Sequence, residues 1–360
     1  MTEPLIAYSL SNFREGCLER SGARTLVDVP SDYGEFTQEL FDHARRVGGR
    51  LIEHHSDDEN VVHGGYLQGS HLLEVFSAGD SARFEGLFRT RLANRIHEQE
   101  ELAIQGANQF ALPGFCVVCN RMSQFTTDRM FARTDAAGQW MPAWRERQVC
   151  SCGFNCRQRS SYHVLTQLPG LTRQANVYCS DRGALFRQVR SAFPRAIGVE
   201  GKGGASARLG FADGSLDCIF ALDWLEHVPD VRATLRDMAR CLRPFSWLLL
   251  TPTLHFENTT SVTRATQNES GAITHHLPPV YHPGPIDGHG VLSFHDFGWD
   301  LLSMLRESGF ASAEIIVYTA PHYGYAGLQY VILAGRGREK VPDVAVKQVA
   351  TVEARTHAAR

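Results

Sequence analysis

From Leu171 onward the chain alternates short apolar runs with amphipathic stretches, and this alternation restricts the fold more than any other feature of the sequence. Short apolar runs bounded by turn formers read as strands, and stretches with a 3.6-residue apolar period read as helices. Strand–helix–strand units in series build a mainly parallel sheet. Strands are expected at Asn176–Cys179, Ala196–Val199, Leu216–Ala221, Trp247–Thr251, Ala313–Tyr318 and Gln329–Ala334. Helices are expected at Gly183–Ala192, Val231–Leu242 and Asp296–Ser308, the last stopped by Gly309.

The 360 residues give room for two or three domains. A composition of 43% hydrophobic and 21% charged residues fits a soluble globular protein with a large core. A net charge of -3 gives no electrostatic reason to expect nucleic acid or an anionic membrane as partner. No run approaches the roughly 20 apolar residues of a membrane span. The most apolar run, Trp247 to Leu250, sits between Pro244 and Pro252 and reads as a buried strand. The opening MTEPLIAYSLSNFRE has an early acid and no basic stretch before an apolar core, so no secretory leader and a cytoplasmic protein are expected.

Four regions are expected along the chain. Residues 1–110 form a mixed α/β region of unknown role, with helical periodicity at Tyr33–Leu51 and Ser81–Ala103. Residues 111–160 hold a cysteine-rich module, residues 161–336 the alternating domain, and residues 337–360 a polar tail. Five of the nine cysteines fall between Cys116 and Cys156. In a cytoplasmic chain such crowding favours metal ligation over disulfides. Cys116 and Cys119 have the usual knuckle spacing, and Cys150 and Cys152 are a tighter pair, so these four are the expected ligands of a structural Zn2+ in a zinc-ribbon-like module. Cys156 is a candidate substitute. Arg145, Arg147, Arg157 and Arg159 flank the second pair and could offset thiolate charge or hold a phosphate or acidic substrate.

In a parallel sheet, ligands bind beyond the carboxyl ends of the strands. After Ile197-Gly198-Val199 come Glu200 and Gly201, followed by Gly203 and Gly204. An acid at the end of the second strand can accept hydrogen bonds from both ribose hydroxyls of a nucleoside cofactor. The segment FADGSLDCIFALDWLEHVPDVRATLRDMARCLRP (residues 211–244) reads as turn, buried strand, loop and helix. Its LEHVPD and LRP motifs resemble the class I S-adenosylmethionine (SAM)-dependent methyltransferase superfamily. A similar likeness, to a bacterial subfamily with an upstream cysteine-rich segment, extends through ITHHLPPVYHPGP, GVLSFHDFGWDLLSMLRESGF and YGYAGLQYVILA.

The resemblance implies a Rossmann-like α/β fold whose last strand is antiparallel, with SAM as cofactor. It implies cofactor contacts at Asp181, Gly183, Glu200, Gly201, Asp223, Trp224 and Leu225. The family's glycine-rich first loop is replaced here by Cys179-Ser180-Asp181-Arg182-Gly183, and the family's acid near the adenine by Gly203 to Ala207.

The connection from Thr253 to Phe294 is long for an α/β unit and has the size of a lid. Methyl transfer to a hydroxyl gains from a general base, and histidine is suited to that near pH 7. His227 is the first candidate by position, then His275, His282 and His295, although any single histidine is more often structural. No HxH or HxxxH spacing occurs in the connection, so no metal is expected there. Tyr323 and Tyr325 suit either a pocket or a core. The expected activity is methylation of oxygen or nitrogen on a small molecule such as a sugar or natural-product intermediate. The alternatives are an RNA- or protein-modifying methyltransferase and a catalytically degenerate scaffold. Nothing in the sequence sets an oligomeric state.

Overall fold

The computed structural model describes residues 75–94, 96, 109–134, 140–168, 170–181, 183–198, 208–282 and 290–337, with three short strand backbones nearer the N-terminus. The periodic segment Tyr33–Leu51 lies outside the described residues, apart from the strand that begins at Arg50. In chain order the main elements are β1 (Phe76–Ala78), α1 (Ser81–Leu87), β2 (Gln109–Cys116), β3 (Arg121–Asp128) and α2 (Cys156–Thr166). Next come β4 (Val177–Cys179), α3 (Ala184–Ala192), β5 (Ile197–Gly198), β6 (Leu216–Leu222), α4 (Val231–Cys241) and β7 (Leu242–Thr251). The chain then forms α5 (Leu301–Glu307), β8 (Ser312–Ala320) and β9 (Tyr325–Arg336).

One seven-stranded sheet has the order β5-β4-β6-β7-β9-β8-β1. Strands β5, β4, β6 and β7 run parallel, and β9 is antiparallel to both β7 and β8. The expected mainly parallel sheet with an antiparallel last strand is therefore present. Strand β1, from the N-terminal region, adds an antiparallel edge beside β8. Both faces of the sheet are covered, so central strands are apolar throughout rather than alternating. In β7, Leu248 and Leu250 enter one core cluster, while Trp247 and Leu249 enter the other. Each such side chain contributes about 1.5–3 kcal/mol on burial.

Helix α4 covers the first face through Val231, Leu235, Met238 and Ala239, at helical spacing. Its start is fixed by Asp230, whose carboxylate accepts from the Ala233 amide at 2.9 Å. Helix α2 opens with a capping box between Asn155 and Gln158.

Two expectations change. The helix placed at Asp296–Ser308 begins only at Leu301. His295 and Asp296 instead pair with Thr263 and Val262, and the Phe297 amide donates to Thr253. Those backbone groups are committed to the long connection and cannot close a helical turn. In the segment expected as a Ser81–Ala103 helix, α1 is followed by a π-helical turn at Phe88–Leu92, and residues 97–103 lie outside the described residues.

The β2–β3 hairpin and the segment after it lie against the sheet at the α2 and β9 side. Two glycines permit the contact. Gly324 and Gly327 both have positive φ (66° and 65°). A Cβ on Gly324 would sit 2.2 Å from the Phe125 ring, and one on Gly327 2.4 Å from Trp144. Arg159, fully buried, closes the joint. It donates to the carbonyls of Tyr323, Gln148 and Gly324 at 2.8–2.9 Å and lies 4.0 Å from the Phe125 ring centroid.

Candidate functional site

Strand β4 passes on to its neighbour on one side, β5, and β6 to its neighbour on the other, β7. The switch point of the sheet thus lies between β4 and β6, and the crevice beyond their carboxyl ends is where an α/β sheet binds a nucleotide-like ligand. Ser180 and Asp181 line it from β4, Asp223 and Trp224 from β6. Asp181 Oδ1 accepts from the Gly183 and Phe186 amides at 2.6 and 3.2 Å, which caps α3. A Cβ on Gly183 would meet only Asp181 Oδ1, at an ordinary 3.5 Å. Glu200 and Gly201 lie outside the described residues. The Leu225 side chain is in the core, so only its backbone is available to a ligand. Both carboxylates of the crevice are engaged by protein groups, Asp181 at the start of α3 and Asp223 by Arg157.

Asp223 has a left-handed backbone (φ 43°) and points its carboxylate at Arg157, which also grips Glu146 at 2.8 and 2.9 Å. Burial raises the Asp223 pKa to about 6, with Arg157 pulling it the other way. Burial works against the Arg157 charge, but Asp223 and Glu146 more than offset it, and the guanidinium is held above its usual value. Neither Glu146 nor Arg157 as partners of the β6 loop is visible in the sequence, because nothing local links them to residue 223.

Past Asp223 the chain makes a 3-10 turn, Leu225–His227. Glu226 is fully buried, and its Oε1 accepts from the Thr253 amide and hydroxyl at 3.3 and 3.2 Å. Its Oε2 is buried and has no hydrogen-bond partner. Burial raises the Glu226 pKa and lowers those of His227 and His282.

The long connection is sewn to this turn. The Phe294 amide donates to the Glu226 carbonyl at 2.8 Å, and His227 Nδ1 lies 2.8 Å from the Leu292 carbonyl. The hairpin partners of Leu292 and Val291 are Tyr281 and His282. That pairing sets the His282 ring across His227, edge to face, with 5.0 Å between centroids. Donor atoms of Glu226, His227 and His282 all lie within 4.8 Å of one another.

The other candidate histidines fall elsewhere. His275 is exposed on the outer hairpin formed by Ala265–Gln267 and Ile273–His275. His295 sits 3.3 Å from the Pro229 carbonyl and stacks on Phe297, and burial lowers its pKa. Tyr323 and Tyr325 are buried in the core rather than lining a pocket.

Residues 164–250, from the end of α2 through β7, match the family model described as a methyltransferase domain. The likeness to a methyltransferase domain covers 87 of the 360 residues. Among solved structures the chain is similar to a SAM-dependent methyltransferase from Mesorhizobium loti (13% identity, 49% of this chain and 98% of that one, TM-score 0.32). It is also similar to the 1,6-didemethyltoxoflavin-N1-methyltransferase of Burkholderia thailandensis, solved with 1,6-didemethyltoxoflavin and S-adenosylhomocysteine (16% identity, 50% and 78%, TM-score 0.30). No curated protein matches the chain.

The second cluster is the cysteine set. Sulfurs of Cys116, Cys119, Cys150 and Cys152 all lie within 4.8 Å of one another. The Cys119–Cys150 and Cys116–Cys152 separations are 3.6 and 4.0 Å. Tetrahedral Zn–S bonds of about 2.3 Å would put sulfurs about 3.8 Å apart, so the set fits zinc without rearrangement. Hydrogen bonds from Cys116 and Cys152 hold the Cys150 thiol below its ordinary range. Cys156 is not part of the set. It packs at the start of α2 in the sheet's core, where burial pushes its thiol up to about 12.

The four flanking arginines each bond protein groups, with Arg145 Nη2 and Arg159 Nε left buried without a hydrogen-bond partner. Arg147 pairs with Asp128, Arg157 with Glu146 and Asp223, and Arg159 with three carbonyls. Arg145 donates to the Tyr330 carbonyl and lies 3.8 Å from that ring's centroid. Among the described residues, no helix is long and apolar enough to cross a membrane.

Proposed function

We propose that this enzyme moves the methyl group of SAM to an oxygen or nitrogen of a small-molecule acceptor, such as a sugar or natural-product intermediate, held under the 253–294 connection. The observation that carries this reading is the Glu226–His227–His282 cluster beside the β4–β6 crevice, roofed by that connection. Bound SAM supplies an activated methyl on its sulfonium, so the chain's task is to align the acceptor, exclude water and take a proton. With His227 Nδ1 donating to the Leu292 carbonyl, Nε2 carries the lone pair, and a lowered pKa keeps that ring neutral near pH 7. Glu200 and Gly201 take the ribose in this reading, Asp181, Gly183, Asp223, Trp224 and the Leu225 backbone the rest of the cofactor. Residues 111–160 are a structural zinc module and residues 161–336 the methyltransferase domain.

The engaged arginines and the net charge favour a small acceptor over RNA. Calorimetry with S-adenosylhomocysteine tests the cofactor part. Micromolar binding is expected and should weaken at least tenfold in Glu200→Ala. No binding at millimolar ligand would leave a scaffold instead. Release of S-adenosylhomocysteine across a panel of sugar and aromatic acceptors tests the rest; turnover only with RNA or protein would overturn the small-molecule reading.

A further inference from the structure

The carboxylate of Glu226 is one of the buried side-chain groups, among the described residues, with an unpartnered polar atom. One oxygen is satisfied by Thr253, and the other has no partner although the side chain is fully buried. A buried polar atom left so costs on the order of 1–3 kcal/mol, more if it is charged. His282 does not relieve it, because its Nδ1 stands 3.9 Å from Glu226 Oε1, beyond hydrogen-bond range. The local charge is also unbalanced. Glu146, Asp223 and Glu226 are three carboxylates grouped around two guanidiniums, Arg157 and Arg145. Arg157 is spent on Glu146 and Asp223, and Arg145 is turned onto Tyr330. With all three carboxylates ionised, one negative charge would lack a counterpart.

With a cation bound, the two histidines serve as its ligands, and water replaces His227 as the proton acceptor. A metal-bound imidazole usually donates its second ring N–H to a carbonyl or carboxylate, which fixes ring and tautomer. His227 has that arrangement, with Nδ1 on the Leu292 carbonyl and Nε2 left as a donor pair. Strand pairing, not a flexible loop end, sets His282 opposite it.

We propose that Glu226, His227 and His282 bind a divalent first-row transition-metal cation, with Glu226 Oε2, His227 Nε2 and an imidazole nitrogen of His282 as donors. Imidazole and carboxylate suit that class of metal. Metal–ligand bonds of about 2.0–2.2 Å require the donors to close in by on the order of 1 Å from their present spread. Three protein ligands leave coordination positions open, so the cation can also hold the acceptor.

The inference rests on the methyl-transfer reading and narrows it to a hydroxyl acceptor with a second oxygen able to chelate. Coordination lowers the hydroxyl's pKa and its proton leaves to water. The oxygen lone pair then forms the O–CH3 bond as the S–CH3 bond breaks and its electron pair stays on sulfur. The products are a methyl ether and S-adenosylhomocysteine.

The test is cobalt(II) reconstitution of the full chain after chelation, read by elemental analysis and absorption. The cysteine cluster is an internal standard, since thiolate–cobalt charge transfer reports it alone. The expected result is about one equivalent of cobalt beyond that held by the cysteines. His282→Ala and Glu226→Gln should each lose that equivalent and keep the thiolate band and the native circular dichroism. His282→Gln serves if His282→Ala does not fold. Equal cobalt content in the wild type and these folded variants would overturn the proposal. Calorimetry with S-adenosylhomocysteine on the same samples reports the cofactor site separately, so loss of the cation proposal and loss of the methyltransferase reading give different results.

Discussion

The cysteine cluster and the Glu226–His227–His282 cluster sit on the same chain and differ in how they are closed. In the first, each pair of donors comes from one tight local segment, and the four sulfurs already stand at zinc spacing. Such a set leaves no coordination position for a substrate and serves the fold. In the second, two donors follow β6 and the third returns on the long connection. One of its oxygens is unpartnered. On the readings proposed above, local closure serves structure, and assembly across elements with an unsatisfied group serves chemistry.

That contrast can be broken by substitution. The largest expected effect is at the cysteines. Cys150→Ala should abolish zinc binding by elemental analysis and lower Tm by about 10 °C or more, because metal binding free energy is folding free energy in such modules. A variant that kept its Tm without the metal would remove the structural role.

Glu226→Gln should behave oppositely. Turnover should fall by about 100-fold, while Tm in chelated protein stays level or rises by a few degrees as an unpaired buried charge is removed. A drop in stability comparable to that of the cysteine variant would put Glu226 in the structural class.

The joint between the two clusters comes next. Gly324→Ala forces a Cβ into the Phe125 ring at a left-handed position, and about 2–4 kcal/mol of lost stability is expected by denaturant unfolding. Within the histidines, His282→Ala should reduce turnover by about tenfold or more while His275→Ala changes it less than about twofold. Equal effects would erase the distinction between the site and the outer hairpin.

The smallest effect is electrostatic. The hydrogen bonds from Arg147 hold the Asp128 carboxyl below the usual range. A depressed carboxylate contributes stability that is present above its unfolded pKa near about 4 and is lost as pH falls through the lower folded value. Asp128→Asn should therefore cost about 1 kcal/mol or less at pH 7, with the gap to wild type closing in acid below that window. A gap that persisted there would trace to packing.

Much of the sheet could be read from the sequence because its information is local. The apolar run at Trp247–Leu250 is buried on both faces, and the spacing of Val231, Leu235 and Met238 makes one helical face. The thiol pairs Cys116–Cys119 and Cys150–Cys152 were legible for the same reason, since each lies within one short turn. The start of α5 was not, because whether His295 and Asp296 extend a helix or a strand depends on Val262 and Thr263, far upstream.

The sequence by itself determined the alternating α/β domain, its DWLEHVPD loop and the four thiols, through periodicities and spacings that act over a few residues. Only the tertiary structure decided that Arg157 and Glu146 reach Asp223, that Cys156 turns into the core, and that His282 rather than His275 meets Glu226 and His227. Those outcomes depend on strand pairing and on where buried charge can be compensated. Neither leaves a periodic trace in the order of residues.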